Sequence, residues 1–424
     1  MNMLISPSTL EGTISIPGSK SMAHRALICA GLADGTSKIS NLPTSQDILA
    51  TIGCLKALGA TIEMNRNCAV VGGTRPQDLS KPVHLDARES GSTLRFLIPI
   101  AASGPEEVTF TGKSSLLSRP MGIYADLFVD LDLPFSQSGE AITFHGPIPG
   151  GLFTIPGDVS SQFISGLLLA SVLMEEPVEI AVLPPYQSRS YTGLTVQMMQ
   201  TFGVHVDMPT TNGYKVADGQ SYVPCDYVVE GDWSQMAFFG VYGAIKSTIT
   251  CTSLEKDSLQ GDKVILSLLE KAGARVDWNG SDTVTVCPNG LKPQTIDLAD
   301  CPDLFPALAV LAACTPGETI FTHTARLRLK ESDRIAAMEN ALKKWGVEIS
   351  STDDEVRVQG KSSYEQPEMV EIDCCNDHRI AMAMAIFGLC AGSESTLIGA
   401  ECVAKSYPDF FEALASLKAK VKSV

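Results

Sequence analysis

Six stretches of this 424-residue chain share one grammar. Each opens on a β-branched run, passes through a polar turn into an amphipathic helix, stops at a glycine or tight turn, and resumes as a short strand. The first copy reads Ile39-Ser40-Asn41-Leu42, then Ser45-Gln46-Asp47, then Ile48, Leu49, Ile52, Leu55 and Leu58, then Gly59 and Ala60-Thr61-Ile62. That spacing puts the apolar residues on one helix face and a glycine at its C-cap. The pattern returns at Val108-Thr109-Phe110 with Ser118-Arg119-Pro120 and a helix ending near Asp130. It returns at Ile180-Ala181-Val182 with Ser188-Arg189-Ser190, at Ile249-Thr250-Cys251 with Ser258-Leu259-Gln260, and at Ile320-Phe321-Thr322 with Lys330-Glu331-Ser332-Asp333. A truncated last copy, Thr396-Leu397-Ile398 with Lys405-Ser406-Tyr407-Pro408, is expected to end in a helix running to the C-terminus. The glycine stops at 59, 203, 273 and 346 lie 144, 70 and 73 residues apart, so one copy inside the first interval lacks its glycine.

A period of about 70 residues is too long for the common helical solenoids, and each copy carries both strands and helices. The expected fold is therefore α/β (α+β): six small units forming two similar lobes of three. The hinge falls near Tyr227-Val228-Val229-Glu230. A chance recurrence of helix, glycine and strand, which any α/β protein shows, would not keep register six times.

Bulk properties exclude several classes. The chain is 44% hydrophobic and 19% charged, which is a globular composition. Its net charge of −16 argues against a general nucleic-acid binder. An anionic ligand must then be caught by local groups of Lys and Arg. None of the 12 cysteines is spaced C-x-x-C. They read as reduced residues of a cytosolic protein, and neither a metal nor a cofactor is expected. No signal peptide is recognisable. The longest apolar runs, Phe163–Met174 and Ile380–Ala391, fall short of the ~18–20 residues a bilayer span needs and read as buried helices.

Anion-catching devices recur along the chain. Pro17-Gly18-Ser19-Lys20-Ser21 leads into a helical run, so Lys20, Ser21 and Arg25 surround a helix N-terminus, where free N–H groups and the helix dipole favour negative charge. It is not a P-loop, because the GxxxxGK[ST] spacing fails. Glu89-Ser90-Gly91-Ser92-Thr93-Leu94-Arg95 puts a glycine among hydroxyls. Ser160-Ser161-Gln162 precedes another apolar run, Pro302-Asp303 sets a carboxylate in apolar company, and Asp377-His378-Arg379 opens a further helix. If the lobes are built alike, these N-termini point into one cleft. Plainer readings stand beside these. Ser160, Ser161, Ser188, Asp303 and Asp377 are equally helix caps. Arg95 and Arg334 are equally surface ion-pair partners, and His378 is equally a structural histidine.

Taken together, these motifs resemble the 5-enolpyruvylshikimate-3-phosphate (EPSP) synthase family along essentially the whole chain. The carriers are Pro17–Ser21 with Arg25, Gly91–Arg95, Arg119-Pro120, Ser160-Ser161-Gln162, Pro302-Asp303, Lys330–Arg334, Asp377-His378-Arg379 and Ala404-Lys405. The resemblance implies two lobes, each of three βαβαββ units, with the active site in the interlobe cleft. Residues 18–230 form the first lobe, and 1–17 plus 231–424 form the second, completed by the N-terminal strand. The implied reaction moves the enolpyruvyl group of phosphoenolpyruvate to the 5-hydroxyl of shikimate 3-phosphate. Lys20, Ser21, Arg25, Ser160, Ser161, Gln162, Ser188, Asp303 and Lys330 are implied to bind shikimate 3-phosphate. Lys20, Gly91, Arg119, Gln162, Arg334, Arg379 and Lys405 are implied to bind phosphoenolpyruvate.

Both substrates are polyanions, so Lys and Arg must cancel their repulsion. Asp303 is expected to take the hydroxyl proton, its basicity raised by Pro302, Leu304 and Phe305. Glu331, with Lys20, is expected to handle the methylene proton. Glu89 and Phe96 depart from the residues many members carry beside Gly91, which bears on inhibition by glyphosate. Arg326 stands where some members have an Asn that contacts shikimate 3-phosphate, so no contact is carried over there. A monomeric cytoplasmic enzyme without membrane or nucleic-acid partners is expected. The related UDP-N-acetylglucosamine 1-carboxyvinyltransferase carries a loop cysteine that Gly112–Ser118 lacks. A non-catalytic anion-binding repeat protein is the rival of another class.

Overall fold

The structure, a computed structural model, describes residues 1–365 and 369–424. The chain forms two compact units, Gly18–Val229 and Met1–Pro17 with Glu230–Val424. Glu230, expected to close the first lobe, therefore belongs with the second. Each unit has its own apolar core and three four-stranded sheets.

The sheet with the simplest connectivity shows the plan. Strands Gly151–Pro156 and Val178–Leu183 pair in parallel, joined by the helix Ser161–Ala170. The helix Arg189–Thr201 follows, then the hairpin Asp207–Thr210 and Gly213–Val216, whose second strand runs antiparallel to Val178–Leu183. This is a βαβαββ unit. The strand pair Val83–Asp86 and Glu107–Thr111 begins a second copy, and Thr295–Asp297 with Gly317–Thr322 begins a third.

The other three sheets borrow a strand from far away in sequence. Tyr227–Val228 pairs in parallel with Thr36–Ser40 and so closes the sheet of the first copy. In the other unit, β1 (Asn2–Ser6) and β2 (Gly12–Ser15) enter different sheets. β2 lies parallel to Ile249–Thr252, whereas β1 lies antiparallel between Ser395–Ile398 and Lys420–Ser423. Two N-terminal strands thus complete this unit where one was expected. The last copy also differs: its helix stops at Ser416 and the chain ends in a strand, Lys420–Ser423.

Each copy carries two kinds of helix. The outer helices have one apolar face, as the periodicity required. The inner ones are apolar all round and buried, as in Phe305–Ala313 and His378–Ala391, because sheets and other helices enclose them. Phe305–Ala313 packs on both His378–Ala391 and Trp233–Ile245. Gly59 ends its helix at φ +106°, where a side chain would be strained. The copy without a glycine uses Asp132 at φ +54°, a residue type that tolerates the left-handed region. Among the described residues, no helix is long and apolar enough to cross a membrane.

Candidate functional site

The functional side chains cluster at the starts of the inner helices, one cluster in each unit. In the Gly18–Val229 unit, helix α1 (Lys20–Leu32) is capped by Ser19, whose side chain accepts from the Met22 N–H. Helix α2 (Gln46–Ala57) is capped by Ser45 and helix α3 (Gly91–Ala101) by Ser90. Lys20 opens α1, and its Nζ lies 2.8 Å from Oδ2 of Asp47 in the first turn of α2. Arg25, one turn further along α1, is buried. Its Nε donates to Thr195 Oγ1 at 2.7 Å, and its terminal nitrogens donate to the Ser21 and Tyr191 carbonyls at 2.7 and 2.8 Å. Its guanidinium sits 5.0 Å from the centre of the Phe96 ring. Burial pushes its pKa down to about 10, slightly opposed by Tyr191 and Cys29.

Gly91 is where three polar side chains converge. A Cβ added there would lie 3.1 Å from an Arg119 nitrogen, 3.5 Å from an Arg95 nitrogen and 3.8 Å from the Gln162 Oε1. Arg95 donates to Gln162 Oε1 at 2.8 Å, and Gln162 Nε2 donates to Ser92 Oγ at 2.9 Å. A bare backbone at a helix N-terminus, flanked by two guanidiniums, fits a small anion.

In the other unit, Asp303 is the hub. Its Oδ1 lies 2.9 Å from Arg334 and 3.3 Å from Lys330, and its Oδ2 lies 2.9 Å from Arg379. Arg334 also meets Glu331 at 2.6 Å and Asp377 at 3.0 Å. Burial would weaken the Arg334 cation, but Asp377, Glu331 and Asp303 more than offset it and raise its pKa. Burial lowers the pKa of Lys330, with Asp303 opposing. Asp377 caps the His378–Ala391 helix through the Arg379 N–H. Lys405 Nζ donates to the carbonyl of Asn376 at 2.6 Å, which ties it to the same loop. Asp262, buried and bonded to Ser234, has its pKa pushed up to about 7 by burial and by the Asp303 charge.

Several expectations change. Asp303 does not meet only apolar neighbours, since three cations surround its carboxylate. Arg334 is 1% exposed and is no surface partner. Ser160 and Asp377 do cap their helices, and Ser161 is the buried first residue of the helix that Ser160 caps. Ser188 precedes its helix at φ +53° without a side-chain cap bond. Phe96 turns its ring to Arg25, Glu89 pairs with Lys113 at 2.5 Å, and Arg326 donates to the Ala299 carbonyl at 2.7 Å. Asp47, Arg95 and Asp262 were not among the expected site residues. Asp47 stood in the first repeat copy and Arg95 in the glycine motif, but neither showed its partner.

Six βαβαββ units with cations gathered at buried helix starts define a class: repeat α/β enzymes that handle small polyanions. The particular family follows from comparison with known proteins. The family model for EPSP synthase (3-phosphoshikimate 1-carboxyvinyltransferase) matches residues 5–414. A 3-phosphoshikimate 1-carboxyvinyltransferase from Clostridium kluyveri is 40% identical over 419 residues, covering 98% of this chain and 97% of that protein. One from Clostridium perfringens is 39% identical, covering 98% of both. Among solved structures, an EPSP synthase from Acinetobacter baumannii aligns over 100% of both chains with a TM-score of 0.80 at 26% identity. The enolpyruvyl transferase NikO from Streptomyces tendae shares the fold, with a TM-score of 0.80 at 18% identity over 99% of this chain and 98% of its own. The chain belongs to the EPSP synthase family.

Proposed function

We propose that this protein transfers the enolpyruvyl group of phosphoenolpyruvate to the 5-hydroxyl of shikimate 3-phosphate, releasing phosphate by addition and elimination. The observation that carries the reading is the Asp303 carboxylate held by Lys330, Arg334 and Arg379. It sets one carboxylate, able to accept a proton once its cations are drawn off, among the charges that two polyanionic substrates require.

The residues proposed for shikimate 3-phosphate are Lys20, Ser21, Arg25, Ser160, Ser161, Gln162, Ser188, Asp303 and Lys330. Those proposed for phosphoenolpyruvate are Lys20, Gly91, Arg119, Gln162, Arg334, Arg379 and Lys405. Arg334 and Arg379 are shared between Asp303 and the donor. As they turn to the donor phosphate, Asp303 loses positive charge and becomes the stronger base for the 5-hydroxyl proton. Glu331, released from Arg334 by the same exchange, takes up a proton and delivers it to the methylene carbon; in the elimination it takes one back from the resulting methyl group while Asp303 returns the hydroxyl proton to the departing phosphate, with Lys20 assisting. Glyphosate competes at the donor site. The enzyme works as a monomer in the cytoplasm.

Phosphate release on mixing the protein with phosphoenolpyruvate and shikimate 3-phosphate tests the reaction, with UDP-N-acetylglucosamine as the parallel acceptor. Release with shikimate 3-phosphate alone is expected. Release only with the nucleotide sugar would overturn the acceptor assignment. Asp303→Ala should lower kcat by roughly 10²–10⁴-fold, the usual share of a general base, and near-normal turnover would remove Asp303 from that role.

A further inference from the structure

Beneath the first cluster runs a chain of side chains that no step above uses. His24 Nδ1 lies 2.7 Å from Thr51 Oγ1, Thr51 Oγ1 lies 2.7 Å from Thr93 Oγ1, and Thr93 Oγ1 donates to Ser90 Oγ at 2.7 Å. All four residues are 0% exposed, so water offers them no alternative partners. They join three helices: His24 on α1, Thr51 on α2, and Thr93 with the Ser90 cap on α3.

We propose that Thr51 is a positioning residue that holds the start of α3, and with it the donor subsite at Gly91, in register with the acceptor subsite at Lys20 and Arg25. This rests on the substrate assignment made above.

The hydrogen-bond directions support it. The Thr93 hydroxyl donates to Ser90 Oγ at 2.7 Å, with the Asp47 carbonyl a second acceptor at 3.3 Å, so its oxygen is left to accept from Thr51, and the Thr51 oxygen to accept from the His24 Nδ1–H. That sense requires a neutral imidazole protonated on Nδ1. Burial, then the Lys20 and Arg25 cations, keep the ring well below its usual pKa. Nε2 has no hydrogen-bond partner. A bare lone pair is less costly to bury than an orphaned N–H. Ser90 also accepts from the Thr93 N–H at 3.2 Å, so the chain ends on the cap of the helix whose first residue is Gly91.

The two subsites do not depend on Thr51 equally. The acceptor cations keep other anchors, Lys20 on Asp47 and Arg25 on Thr195 and Tyr191. The start of α3 is held to α2 by the short Thr51–Thr93 bond at 2.7 Å and by the longer 3.3 Å bond from Thr93 to the Asp47 carbonyl, and the Ser90 cap is reached from the first of these by way of Thr93. A shift of about 1 Å at a positioned group can cost 10²-fold in rate.

Thr51→Val keeps the shape and removes the hydroxyl, whereas Thr51→Ser keeps the hydroxyl. The first readout is amide exchange in the free protein at Thr93 and Leu94, whose N–H groups bond to the Ser90 side chain and carbonyl. Exchange is expected to quicken at least ~10-fold in Thr51→Val and to stay near the parent rate in Thr51→Ser, since losing a buried bond lowers the local opening cost. The second readout is the KM split. Thr51→Val is expected to raise the phosphoenolpyruvate KM roughly 5–20-fold and leave the shikimate 3-phosphate KM within about twofold, with Thr51→Ser restoring both. A general loss of folded protein would leave the ratio of the two KM values untouched. Unchanged exchange, or a shifted exchange with an unshifted KM ratio, overturns the proposal. Failure of the substrate assignment would show separately, as a parent protein that releases no phosphate.

Discussion

Replacing Arg334 with Met isolates what one buried guanidinium does for three carboxylates. Asp303 keeps Lys330 and Arg379, and Glu331, at 23% side-chain exposure, can turn to water. Asp377 is 0% exposed and keeps Ser332 Oγ and the Arg379 N–H as hydrogen-bond donors, with His378 Nδ1 further off at 3.9 Å. The cost is therefore dominated by one uncompensated buried carboxylate, about 3–5 kcal/mol. For a unit of this size, each kcal/mol moves Tm by about 2–4 °C, so Arg334→Met should melt roughly 6–20 °C lower. Adding Asp377→Asn removes the stranded charge. The double variant should recover ~2–3 kcal/mol relative to additivity in urea unfolding. Its donor KM should not recover, because the guanidinium is absent from both variants. If the two substitutions add to within ~0.5 kcal/mol, the pair is not coupled and the reasoning is wrong.

Two further outcomes follow from the same geometry. Lys20→Met should lower kcat/KM by about 10²–10³-fold through loss of charge at both substrates, and unchanged kinetics would sink the anion-trap reading. Asp262 has its pKa raised from 3.8 to about 7, so between these values the folded state holds more protons than the unfolded state and stability falls as pH rises. Asp262→Asn keeps an acceptor for Ser234 and removes that slope. It should exceed the parent in stability at pH 8 and match it near pH 4, and an equal gap at both pH values would refute the assignment.

The outer helices were legible because each shows its apolar face and stop within a dozen residues. The borrowed strands were not. Tyr227–Val228 looks like a hinge, and nothing local reveals that it pairs with Thr36–Ser40 almost two hundred residues earlier. The site divides in the same way. Lys20, Gly91, Asp303 and Arg379 could be named because each sits in a motif at a helix start. Their partners come from other helices: Asp47 and Thr51 from α2, and Asp262 from a turn before another helix. The setting of Asp303 was misread for this reason. Its sequence neighbours are apolar, while the cations around it arrive from residues 330, 334 and 379. Phe96 likewise reads as a neighbour of Arg95, but helical geometry turns it onto Arg25.

The borrowed strands also impose an order in time. Every strand of the Gly18–Val229 unit lies within its own limits, so that unit can finish folding while the rest is still being translated. β1 cannot pair in the same way. Its two neighbours, Ser395–Ile398 and Lys420–Ser423, emerge about four hundred residues later. At about 5–20 residues per second that is roughly 20–80 s of waiting. During that interval Met3 and Ile5, buried in the finished protein, belong to a strand with two open edges. Synthesis thus delivers one half complete and holds the other open until its last strand arrives.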